Sequence, residues 1–153
     1  MIIPTAAEML KTVEATFETV IKPHLTDSGA RSAAASVGHM LRLATLRIEI
    51  EGQILHDEVA KLRALLPRLY SFLGEGILPP PRNNSVYPSL ALMAAEVGAL
   101  RQGVCEALDA LQGRELNEEG VRLLSELNSY ISWQLDQERK MIDPATIGHG
   151  PRR

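Results

Sequence analysis

The sequence predicts an all-α fold, an up-and-down bundle of four main helices whose second member is long and either kinked or split into two. Apolar residues recur every three or four positions along most of the 153 residues, and no segment shows the strict alternation of a half-buried strand. Leu and Ala recur throughout while aromatics make up only 4% of the chain, a bias that favours helix. Capping residues and helix breakers fall where this periodicity starts and stops.

The first helix opens at Thr5, which with Glu8 three residues later forms a capping-box pattern. Met9, Leu10, Val13, Phe17, Val20 and Ile21 trace one face, charged residues take the other, and Glu18 stands four positions before Lys22 as a favourable ion pair. Pro23 marks the stop. Asp27 or Ser28 caps the second helix, which begins with small residues and then carries Val37, Leu41, Ala44, Ile48, Leu55, Val59, Leu62, Leu66, Leu69 and Leu73 on one face. A straight helix over this span is on the order of 70 Å long, about twice a normal bundle helix, so Gly52 and Pro67 are the expected places for a bend or a break.

Residues 74–88, rich in Gly, Pro and Asn, form a long loop with Ile77, Leu78 and Tyr87 as apolar anchors, and Pro79-Pro80-Pro81-Arg82 reads as a stiff linker. A third helix follows from Ser89 to Gln112, with Leu90, Met93, Val97, Leu100, Val104, Leu108 and Leu111 on its buried face and Gly113 at its end. Asn117, followed by Glu118 and Glu119, caps the last helix, whose expected apolar face is Leu123, Leu124, Leu127, Ile131, Leu135 and Ile142. The short link at 113–116 makes the last two helices antiparallel neighbours. One domain is therefore expected over 1–143, with an irregular C-terminal tail over 144–153.

Composition narrows the function classes. A net charge of -3 and few aromatics leave no basic surface for a phosphate backbone and no stacking platform, so nucleic acid is not an expected partner. No apolar run approaches a membrane span and the N-terminus lacks a signal pattern; together with a single cysteine, Cys105, this reads as a cytoplasmic chain with no membrane partner. Cys105 is expected as a small buried apolar residue. The triplet Asn83-Asn84-Ser85 matches a glycosylation acceptor, but no export signal accompanies it.

The candidate site lies inside the apolar stripe of the second helix, where Arg47, Glu51 and Glu58 stand on one face. Charges there pair with one another, reach an open cleft, or meet a ligand or partner. As a structural feature they fix helix register or a dimer contact; as a ligand site, Arg47 anchors a carboxylate or phosphate with a Glu able to move a proton. His39, on an apolar flank of the same helix, is a packing residue or an accessory to that site. Glu96 and Glu138, at the margins of their helices, raise the question of a carboxylate metal centre, yet no Glu-x-x-His pair of the dimetal bundles occurs, so neither a metal site nor a cofactor is expected. His39 and His56 are not spaced as a zinc pair, and no catalytic residue can be named.

Trp133, with Tyr130 nearby, falls off the main apolar stripe of the last helix and is either an interface anchor or a cover for the flank of a neighbouring helix. The function expected from these features is a non-enzymatic interaction or accessory protein acting as a homodimer, with a protein partner. The alternative is a small-molecule-binding or enzymatic bundle using Arg47, Glu51 and Glu58 in an interior cavity.

Overall fold

Every helix start read from the sequence is made by the residue type that can satisfy its free N–H groups. The computed structural model describes residues 4–74, 76, 78–81 and 88–146, with side chains to residue 142. Among them are four α-helices and no strand: α1 (Ala6–Thr16), α2 (Ser28–Leu73), α3 (Leu90–Leu111) and α4 (Glu118–Thr146). The protein is all-α. At α1 the Thr5 hydroxyl accepts from the Glu8 N–H at 3.2 Å while the Glu8 carboxylate accepts from the Thr5 N–H at 2.7 Å, the reciprocal capping box. Asp27, rather than Ser28, caps α2 by accepting from the Ala30 N–H at 2.8 Å. Ser89 and Asn117 cap α3 and α4, accepting from Leu92 and Gly120.

The ends differ from expectation in instructive ways. The chain stays helical after Thr16 by widening into a π turn over Phe17–Ile21 and tightening into a 3₁₀ turn over Lys22–His24, where Pro23 sits. The expected Glu18–Lys22 pair forms there at 2.6 Å. Helix α2 is a single uninterrupted element that contains both Gly52 and Pro67, so it is not split in two. Helix α4 continues to Thr146, past the boundary expected at 143. The α3–α4 link turns at Gly113, whose φ of +80° places it in the left-handed region that favours glycine. Ile77, Arg82, the Asn83-Asn84-Ser85 triplet, Tyr87 and the tail from 147 lie outside the described residues.

Two compact units emerge from the contacts. The first comprises Met1–Glu51 with Gln137–Arg153, and the second Gly52–Asp136. The second unit has a closed core, in which α2 contributes Leu62, Leu66 and Leu69, α3 contributes Leu100 and Val104, and α4 contributes Leu123 and Leu127. Each fully buried leucine contributes about 1.5–3 kcal/mol relative to an exposed one. Leu78 packs against this core, and the Pro79 carbonyl accepts from Arg63 Nη1 at 3.2 Å, which docks the start of the long loop. Arg114 Nη1 donates to the Leu73 carbonyl at 3.3 Å and so satisfies one of the open acceptors at the end of α2.

The first unit is built differently. Its buried described positions are Ala34, Gly38 and Thr45, none of them a large apolar residue. Polar ties hold α1 and the π turn to the first part of α2: Lys11 to Glu49 at 2.5 Å, and Arg42 to Glu14 at 3.5 Å and Glu18 at 3.9 Å. Several residues expected on buried faces are exposed, among them Met9, Val13, Val37 and Ile48 in this unit, Leu90 on α3, and Leu135 and Ile142 on α4.

Candidate functional site

Among the described residues the most deeply buried charged group is Glu58, at 1% exposure in the second unit. Its position continues the apolar face that places Leu62, Leu66 and Leu69 in the core, so the helix carries it inward. Two helices answer it. Arg101 on α3 donates from Nε to Oε1 at 2.7 Å and from Nη2 to Oε2 at 2.9 Å, the bidentate fork of a guanidinium on a carboxylate. Tyr130 on α4 donates its hydroxyl to Oε1 at 2.7 Å. Burial, and then the bond to the Glu58 carboxylate, push the Tyr130 hydroxyl well above the ordinary tyrosine range.

A second pair lies in the same unit. Arg63 Nε donates to Glu96 Oε1 at 2.7 Å, and Arg63 Nη2 lies 2.5 Å from the same oxygen without hydrogen-bonding geometry. At the surface, Arg68 makes two bonds to Glu126, at 2.6 and 2.8 Å. These ties join α2 to α3 and to α4 and engage the carboxylates of Glu58, Glu96 and Glu126. Among the described residues no group of three or more His, Cys, Asp or Glu is arranged to hold a metal ion.

The residues singled out from the sequence are dispersed. Arg47 and Glu51 approach to 3.9 Å in the first unit, with Arg47 mostly in solvent, while Glu58 takes its partners from α3 and α4 in the second. His39 is half-buried on α2. Tyr130 is a core residue, 5% exposed. Trp133 is half-buried, its ring 6.3 Å from that of Tyr130 and covered by the Lys61 ammonium at 5.0 Å. It lines a cleft of about 350 Å³ with Lys61, Leu65, Arg68, Glu126 and Tyr130. Cys105 is exposed rather than buried.

Arg101 and Arg63 escaped the sequence reading, yet the signal was present. Arg101 lies four residues after Val97 and next to Leu100, inside the apolar face of α3, which is the same anomaly that drew attention to Glu58 on α2. Comparison with protein-family models, with curated proteins and with solved structures finds no match to this chain. Among the described residues no helix is long and apolar enough to cross a membrane.

Proposed function

We propose that the chain is a non-enzymatic interaction or accessory protein that acts as a homo-oligomer and offers apolar helical surface to a protein partner. The observation that carries this reading is the first unit, among whose described residues no large apolar side chain is buried while Met40, Met9 and Val13 stand 61%, 50% and 51% exposed. Apolar side chains on adjoining helices that find no cover within their own unit are completed by another polypeptide. The charges of the second unit support the same view. Glu58 accepts three hydrogen bonds from its own chain and is closed to solvent, as expected of a group that fixes how three helices pack.

Native mass spectrometry and light scattering at micromolar concentration test the oligomer. A mass of twice the 16.8 kDa chain is expected, and a monomer throughout the range overturns the reading.

A further inference from the structure

We infer that the cleft between α2 and α4 in the second unit binds a small monocarboxylic acid with an apolar body, its carboxylate held by Lys61 and its body lying against Leu65 and Trp133. The site stands apart from the oligomer proposed above, because its lining residues all fall within Gly52–Asp136. Each wall is one stripe of a helix. Lys61, Leu65 and Arg68 follow one another on α2 at steps of four and three, and Glu126, Tyr130 and Trp133 do the same on α4. The two helices run antiparallel here, so the stripes close the cleft at both ends: Lys61 covers the Trp133 ring at one, and Arg68 pairs with Glu126 at the other. Between these ends Leu65 and Tyr130, 7% and 5% exposed, give the space its apolar depth. Its volume of about 350 Å³ is that of a small-molecule site.

The two ends differ in what they can accept. Arg68 spends both of its Nη groups on the two oxygens of Glu126, so its charge is answered within the chain. Lys61 rests on the indole face, 5.0 Å from the ring centroid, and among the described residues no carboxylate pairs with it. Of the three charged groups in the lining, the positive charge left over is therefore the one beside the tryptophan. An ammonium carries three N–H donors and the ring takes up one direction, so a carboxylate entering the cleft gains a charge-assisted hydrogen bond while the cation keeps its seat. Lys61 is exposed, and the empty cleft strands no buried charge. The ligand class follows from the same geometry. A purely apolar molecule leaves Lys61 unanswered, an inorganic anion leaves the half-buried ring uncovered, and a cation is opposed by the ammonium that already occupies the ring face.

Trp133 is the only tryptophan of the chain, so its fluorescence reports on the cleft directly. Titrating the 153-residue chain with phenylbutyrate should change the emission saturably, with calorimetry giving the same affinity. The uncharged phenylbutyramide should bind about tenfold more weakly, and Lys61→Met should lose as much for the acid, the effect of one hydrogen bond between charged groups. Lys61→Arg should bind the acid as the parent does. Ala64→Phe, at an exposed position that lines this cleft and not the neighbouring groove along α4, should abolish binding with an unchanged helical circular-dichroism spectrum. The site is overturned by the absence of a saturable response at millimolar phenylbutyrate, by equal binding of acid and amide, or by a Lys61→Met chain that binds as the parent does. A preference for phenylbutylamine also overturns it, by assigning the ring to a cation. Binding of the acid to a chain that proves monomeric would uphold this site while removing the homo-oligomer.

Discussion

Glu58 places a carboxylate where water does not reach, and removing an ion from water costs several kcal/mol unless geometry and hydrogen bonds offset it. Arg101 supplies the opposite charge and Tyr130 the neutral donor, so the oxygen shared by both is satisfied from two helices at once. The Tyr130 hydroxyl is useful only while it holds its proton. Because its folded-state pKa lies above the ordinary value, the unfolded chain releases that proton first as the solution turns alkaline. The resulting stabilisation is complete below pH of about 10 and is lost as pH rises beyond it. Tyr70, raised by burial and then by the nearby Glu106, adds to the same trend. Tyr130→Phe should lower the unfolding free energy by about 1.5–3 kcal/mol in urea titrations near neutral pH, the range for a hydrogen bond to a charged group. It should also make the alkaline loss of stability shallower. A variant as stable as the parent would mean that Arg101 alone satisfies the carboxylate.

At the scale of helices, close approach of α2 and α3 depends on the absence of a side chain at one position. A Cβ built on Gly103 would collide with the Tyr70 hydroxyl and stand 3.4 Å from Leu66 Cδ1, so the glycine is the seat for a buried tyrosine. Gly98 sits on the same helix facing open space, with nothing within 4 Å of the corresponding position. Intrinsic propensity favours alanine at both sites by about 1 kcal/mol. Packing reverses the sign at one of them. Gly98→Ala should stabilise by up to about 1 kcal/mol, whereas Gly103→Ala should destabilise by about 1–3 kcal/mol through overpacking, both read from denaturation midpoints. Equal effects at the two positions would show that α2 and α3 do not close on Tyr70. Helix existence and most caps were legible in the sequence because they depend on local chemistry: Thr5 with Glu8, Asp27 and Asn117 cap as their side chains dictate, while Ser89, read as the first helical residue, stands one position before the helix as its cap. The anomaly at Glu58 was legible for the same reason, since a charge in an apolar stripe is visible along one helix. Its partners were not, because Arg101 and Tyr130 lie 43 and 72 residues away and only the packing of three helices brings them together. The same limit hid which of two apolar stripes on α4 faces the core, for Leu123 and Leu135 read alike in sequence although one is buried and the other exposed.

At the scale of the whole molecule, the contrast between the two units becomes a difference in local stability. The second unit encloses Leu62, Leu66, Leu69, Leu100, Leu123 and Leu127, none more than 1% exposed, and ties its helices with ion pairs whose carboxylates at Glu58 and Glu96 are buried. The first is held by ion pairs that are partly in solvent, such as Lys11–Glu49 and Arg42–Glu14, and solvent weakens exposed pairs of this kind. Regions with few buried apolar contacts open at lower free energy than the global transition. Hydrogen exchange followed by mass spectrometry should therefore show the amides of α1 exchanging well before those of α2 from Val59 to Leu73 and of α3. Raising the ionic strength should speed exchange in α1 selectively, because salt screens exposed charges and leaves the leucine core untouched. Any condition that covers the apolar residues of the first unit, a protein partner included, should slow α1 toward the rate of the second unit without changing the latter. Equal protection of the two units in the isolated chain would remove the physical reason for a partner, and with it the reading of this protein as one completed by contact with another polypeptide.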